Sequence, residues 1–204
     1  MKLSIIRPLH KKGNTKELEN YRPISLLTVF TKILEKIIYK RLYSYLEKYK
    51  ILSDDQFGFR ENLSTRSATN VLINSMLTSF DKNKFVGGLF CDIHKAFDCV
   101  KLEILLAKLE FYGIPGISNK LFRSYLNGRY QSVLITNNMN IKTNSSWELM
   151  RHGVPQGSAL SPLLFLIYIN NLAFTIRKYA TPVLFADDTS IIISSSNVTE
   201  FKNV

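Results

Sequence analysis

"VLFADDTSIII", residues 183–193, places two carboxylates between two runs of apolar, β-favouring side chains. Its plain reading is strand, two-residue turn and strand. Asp is a common turn residue, so the pair on its own reads as a solvated hairpin tip. A second stretch, "GLFCDIHKAFDCV" (residues 88–100), changes that reading. "FVGGLFCDI" is apolar almost throughout and reads as a buried strand ending at Asp92. A carboxylate there is costly unless it is paired or binds a metal. Capping is the competing use of these acids: Asp92 or Asp98 could begin the helix that follows. For Asp98, just before the Leu102 helix, the cap is the expected role. If the two strands are neighbours, Asp92 and Asp187 converge, and hard divalent cations want such oxygens. Two cations roughly 4 Å apart can clamp an in-line phosphoryl displacement.

The rest of the composition narrows the setting. Of 204 residues, 46% are hydrophobic and 21% charged, which argues for a folded rather than a disordered chain. The net charge of +11 points to a polyanion partner, nucleic acid or an anionic membrane face. The greasiest run, Leu160 to Phe174, is broken by Ser161, Pro162, Asn170 and Asn171. It falls short of the ~20 apolar residues of a membrane span, so no membrane partner is expected. Residues 1–20 are mixed and charged and do not read as a signal peptide. With only Cys91 and Cys99, no disulfide framework is expected. The Asn-X-Ser/Thr sites at Asn62, Asn144 and Asn197 then read as chance. The expected location is intracellular, nuclear or cytoplasmic, and not secreted. Both ends read as cut from something longer.

Along the chain, residues 3–9 and 21–27 read as two strands joined by the basic loop "HKKGNTKELEN". Phe30, Ile33, Leu34, Ile37, Ile38, Leu42, Tyr45, Leu46 and Tyr49 repeat at three and four, the core stripe of a helix. A helix from about Thr65 to Phe80 follows the polar loop "SDDQFGFRENLS". Leu102, Leu105, Leu106 and Leu109 mark another helix, stopped by Gly113 and Pro115. A short helix at 117–126 leads to "YQSVLIT", a turn at "NNMN" and a strand toward Trp147. An apolar helix over Leu163–Leu172 precedes the opening hairpin. No regular βαβ rhythm emerges, so the fold class is α+β, an antiparallel sheet backed by helices.

"CDIHKAFDCV", "HGVPQGSALSPLLFLIYINNL" and "FADDT" resemble three ordered palm motifs of reverse transcriptases. "HKKGNTKELENYRPISLLTVFTKILEKII" and "QFGFRENLSTRSA" resemble the fingers motifs of the same enzymes. The phrasing is closest to non-LTR retrotransposons of the LINE type. The resemblance covers about Ile5 to Ser194. It implies a right-hand polymerase fold without the thumb, a single partial domain. Residues 1–84 would be mostly fingers, 85–113 palm, 114–160 mixed and 161–204 palm.

Carried over by position, the resemblance implies that Asp92 and Asp187 hold two Mg²⁺ ions, with Mn²⁺ as a substitute. The Ile93 carbonyl is a further ligand and Asp188 completes the acidic set; turn support is the other role open to Asp188. Phe97 would pack under the sugar of the incoming dNTP and disfavour a 2′-hydroxyl, although a Phe among apolar neighbours also reads as core. Gln156 and Gly157 would lie along the nucleotide and template. Lys12 and Arg22 would grip the triphosphate, with Lys11 able to replace Lys12. Arg60 and Ala186 would face template or primer, Arg60 alternatively the triphosphate, with a solvated surface residue as its other reading. Lys36, Lys40, Arg41, Lys48, Lys50, Arg123, Arg129 and Arg151 would follow phosphates. His94 and Asn171 depart from the family pattern. The implied function is RNA-directed DNA polymerisation on an RNA template with a DNA primer. The alternatives are an inactive remnant that only binds RNA and a plain structural domain.

Overall fold

The computed structural model describes residues 2–136, 139–197, 199 and 201. Fourteen longer elements run in the order β1 (Leu3–His10), β2 (Tyr21–Leu26), α1 (Val29–Lys48), α2 (Thr65–Asp81), β3 (Phe85–Asp92), α3 (Leu102–Phe111), α4 (Gly116–Leu126), β4 (Arg129–Thr136), β5 (Lys142–Asn144), β6 (Glu148–Met150), α5 (Ser161–Ile169), α6 (Asn171–Ile176), β7 (Thr181–Phe185) and β8 (Asp188–Ser195) among the described residues. They divide into two compact units, Met1–Ser44 with Phe97–Leu164 and Tyr45–Ala96 with Phe165–Val204.

In the first unit β1 and β2 form the basic hairpin expected from sequence, with Leu9 opposite Arg22 and His10 opposite Tyr21. β1 also runs parallel to β4, while β5 and β6 pair antiparallel with β4, so this sheet is mixed. Part of "NNMN" lies outside the described residues. Thr28 opens α1 by accepting the Thr31 N–H (3.3 Å), one of the amides that a helix start leaves unpaired. Leu105, Leu106 and Leu109 of α3 are fully buried, as their spacing requires.

The second unit holds an antiparallel sheet in the order β3-β8-β7. α2 starts at Ser64, whose hydroxyl accepts from the Ser67 N–H. Its Ala68 joins Phe57 and Val183 in the core, packed by Leu63, Leu72 and Phe185. The apolar helix expected over 163–172 begins at Ser161 and divides at Asn170 into α5 and α6. Asn170 is buried there because its amide bonds the Ser53 N–H (2.9 Å) and the Ile51 carbonyl (2.8 Å). No helix among the described residues is long and apolar enough to cross a membrane.

Two burial expectations fail. Phe30, Ile33 and Ile37 of α1, and Tyr49 just past its end, are exposed; the buried positions of α1 are Thr31, Glu35, Ile38, Leu42, Tyr43 and Leu46. A helix covers only one stripe, and here a buried polar network around Glu35 selects it. β3 is likewise not a buried strand. It is an edge strand, Gly87 and Gly88 leave its middle without side chains, and Leu89 and Phe90, on opposite faces, are both exposed.

Candidate active site

The hairpin forms as read, with one refinement. Phe185 pairs with Asp188 across a turn made of Ala186 and Asp187. The two acids are therefore not equivalent: Asp187 lies in the turn and Asp188 is the first residue of β8. Ala186 carries φ +59, a left-handed value that a residue with a Cβ adopts at a cost. A two-residue hairpin needs positive φ at its first central position, so the turn imposes it.

β3 runs antiparallel to β8 in a register that sets Asp92 directly opposite Asp188. Directly opposed residues project to the same sheet face with Cβ atoms about 4.5–5.5 Å apart. The cross-strand partner of Asp92 is thus Asp188, and Asp187 adjoins the pair from the turn. Burial first, then the nearby Asp187 and Asp92 charges, hold the Asp188 carboxyl above the usual carboxylate range. Asp92 is exposed and Asp187 half-buried, so the cost argued for a buried Asp92 does not arise. Mutual repulsion, not burial alone, marks this site. Neither Asp92 nor Asp98 caps a helix: no helix starts after Asp92, and α3 is preceded by Lys101.

Behind the turn lies a support that sequence reading did not single out. Segment 55–58 runs beside β7: Leu184 N–H bonds the Asp55 carbonyl (2.8 Å), and Phe57 N–H bonds the Leu184 carbonyl (2.8 Å). The buried Gln56 accepts from the Ala186 N–H (2.9 Å) and donates to the Ala186 carbonyl (3.3 Å). A Cβ on Gly58 would come within 2.2 Å of the Ala186 nitrogen, so only glycine allows this approach. The local signal was the lone glycine between two aromatics in "QFGF". Ala186 itself, expected at a template or primer face, is 5% exposed.

Arg60 also differs from expectation. Its guanidinium forks onto Glu47 (both bonds 3.2 Å) and donates to the Ser53 carbonyl (2.9 Å). With its side chain 12% exposed, it braces the loop before α2.

In the other unit, Phe97, Gln156 and Gly157 come together. The Val154 N–H bonds the Phe97 carbonyl (2.9 Å), and the Gly153 N–H bonds the Val100 carbonyl (2.8 Å). The Gln156 carbonyl accepts from Ser25 N–H (2.7 Å), three residues along β2 from Arg22. Its side-chain amide reaches both Asp98 oxygens at 3.4 Å, the use that Asp98 finds in place of a cap. Gly157 has φ +97, and a Cβ there would press on the Ser25 carbonyl at 3.0 Å. Lys12 and Arg22 are exposed on the β1–β2 hairpin. Arg129 is buried at 1% exposure over the Tyr125 ring, so it cannot follow phosphates. Arg123 pairs with Glu103 at 3.0 Å.

Residues 9–202 match the family model described as reverse transcriptase (RNA-dependent DNA polymerase). The chain is 34% identical over 96% of its length to a probable RNA-directed DNA polymerase from transposon BS of Drosophila melanogaster. It is 31% identical over 97% of its length to the RNA-directed DNA polymerase from mobile element jockey of Drosophila funebris. It spans 22% of each of these two relatives. Among solved structures, it is similar to apo telomerase from Candida tropicalis truncated from the C-terminal domain. The TM-score is 0.67 at 12% identity, over 98% of this chain and 45% of that one. At that identity the likeness speaks for the fold alone.

Proposed function

Because the chain belongs to the reverse transcriptase family, in its non-LTR retrotransposon branch, we propose that it carries the nucleotidyl-transfer site of an RNA-directed DNA polymerase. One observation carries the site: Asp92 opposite Asp188, with Asp187 in the adjoining turn, three carboxylates at one end of a sheet.

The residues fit divalent cations in donor chemistry. All three are hard oxygen ligands, and burial, followed by the neighbouring Asp187 and Asp92 charges, already raises the Asp188 pKa. Among the described residues no group of three or more His, Cys, Asp or Glu side chains is arranged to hold a metal ion, so the fit lies in donor chemistry alone. Asp92, Asp187, Asp188 and the Ile93 carbonyl would hold two Mg²⁺, with Mn²⁺ as a substitute. When bound, such ions neutralise charge on the phosphates and favour the ionised primer hydroxyl.

The reaction is attack of a primer 3′-oxygen on the α-phosphorus of a dNTP, with pyrophosphate leaving. The protein's own contribution is positioning and charge. Lys12 and Arg22 hold the triphosphate through charge-assisted hydrogen bonds. Gln156 and Gly157 lie along the nucleotide and template, the glycine permitting close backbone approach. Phe97 lies under the sugar and selects against a 2′-hydroxyl. The surplus of positive charge binds an RNA template and DNA primer without sequence preference. In fold terms, residues 85–113 and 161–204 would serve as palm, residues 1–84 mostly as fingers and residues 114–160 as a mixture of the two.

Primer extension on a primed RNA template tests this. Wild-type protein should add dNTPs in Mg²⁺, and Asp187→Asn should reduce incorporation to background with RNA binding intact. Salt-sensitive RNA binding without incorporation by the wild type would favour a remnant that only binds RNA.

A further inference from the structure

We propose that Gln56 is a positioning residue for Asp187, acting through the backbone of Ala186. The proposal rests on the reading of Asp187 as a metal-holding carboxylate and adds a residue to which that reading assigns nothing.

Gln56 is 4% exposed, and both the oxygen and the nitrogen of its carboxamide are hydrogen-bonded. Its Oε1 accepts from two backbone amides, Ala186 (2.9 Å) and Gly58 (2.8 Å), and its Nε2 donates to the Ala186 carbonyl (3.3 Å). One side chain thus brackets one residue, holding the peptide N–H before it and the carbonyl after it. That residue is the left-handed Ala186, whose φ of +59 carries a steric cost for any side chain with a Cβ. Such conformations persist where surrounding contacts over-determine them. The bracket supplies this, and the next peptide plane leads directly to the Asp187 Cα. Relaxing Ala186 to negative φ would rotate that plane and swing the Asp187 carboxylate away from Asp92 and Asp188. The gap of 130 residues between Gln56 and Ala186 makes this a tertiary device, and Gly58 keeps it close by leaving no room for a Cβ.

Three forms of the full chain separate positioning from simple packing. Gln56→Met keeps length and volume but loses all three hydrogen bonds. Gln56→Met combined with Ala186→Gly restores a backbone that adopts positive φ at little cost. Mn²⁺ affinity is read by electron paramagnetic resonance, and dNTP incorporation by primer extension as kcat and KM. Gln56→Met should weaken Mn²⁺ binding and lower kcat by ~10–100-fold, the usual effect of removing a partner that orients a ligand. The KM for dNTP should move by less than about twofold, because uniform substrate binding is untouched. Ala186→Gly should recover a large part of both losses. A packing role predicts no rescue by glycine. Gln56→Met with Mn²⁺ affinity within about twofold of wild type overturns the proposal, by the same measure of an orienting partner. If Gln56→Met does not fold, the double variant decides: recovered folding and Mn²⁺ binding support the bracket, and failure of both overturns it. Wild-type protein that binds Mn²⁺ but adds no nucleotide defeats the polymerase reading, while the Mn²⁺ arm still judges Gln56. Wild-type protein that binds no Mn²⁺ overturns both.

Discussion

Asp188 faces Asp92 directly across the β3–β8 pair, two like charges in opposition at the open end of a sheet. Such a pair is destabilising on its own and points to a use that outweighs the cost. Folding raises the Asp188 pKa, so the folded chain holds this proton more tightly than the unfolded chain. Its contribution to stability is therefore full below the usual carboxylate range and lost as pH rises through the raised value. Metal-free thermal melts should show Asp188→Asn more stable than wild type at neutral pH. The gap should close on acidification. Parallel wild-type and variant curves would mean that the three carboxylates do not feel one another.

The same repulsion predicts the effect of metal. Mg²⁺ or Mn²⁺ should raise Tm at neutral pH, approaching about 2.7 kcal/mol at a hundredfold excess over Kd. Protons and cations compete for the same oxygens, so the gain should shrink in acid, and EDTA should reverse it. Asp187→Asn should remove most of it. Equal metal-induced shifts in wild type and Asp187→Asn would place the cation elsewhere.

Arg60 makes a different prediction from the one its motif suggests. Its fork to Glu47 and its bond to the Ser53 carbonyl are part-buried, with the Arg60 side chain 12% and the Glu47 side chain 36% exposed. Arg60→Met should cost about 1–3 kcal/mol in urea unfolding, because Glu47 and the carbonyl lose a partner. The salt dependence of RNA binding should keep its slope, since no phosphate contact is lost. A slope reduced by about one would return Arg60 to the template.

Periodicity and turn chemistry were enough to read where most elements lie. The hairpin around Asp187, the helix from Thr65 and the leucine stripe of α3 all form where local pattern places them. Burial was less legible. The apolar repeat of α1 is wider than one face can bury, and nothing local says that Phe30, Ile33 and Ile37 stay outside. The apolar run of β3 reads as interior, yet an edge position and two glycines leave it open. The polar supports were least legible of all. Gln56, Glu35 and Arg129 look like ordinary surface residues in sequence, and their identity as buried partners comes from contacts made far along the chain. Gln56 finds Ala186 130 positions away, and Glu35 finds Ala159 124 away.

Glu35 yields the last prediction. It is completely buried, accepting from the Tyr125 hydroxyl (2.6 Å) and from the Ala159 N–H (2.9 Å) beside the Gln156–Gly157 turn. The Tyr125 hydroxyl also meets Ser158 (3.2 Å), whose Oγ accepts from the Leu160 and Ser161 amides at the start of α5. One carboxylate thus ties α1, α4 and the 156–159 loop together. Tyr125→Phe leaves a buried carboxylate oxygen without its donor and should cost about 1–3 kcal/mol. Burial first, and then the Glu35 charge, push the Tyr125 phenol far above its ordinary range. Its contribution is therefore constant through neutral pH. Above the ordinary tyrosine range the unfolded phenol ionises while the folded one cannot, so the gap between wild type and Tyr125→Phe should narrow there. Urea unfolding across neutral and alkaline pH reads both effects. A gap that stays constant into the alkaline range would show that the Tyr125 phenol is not held neutral by burial beside Glu35.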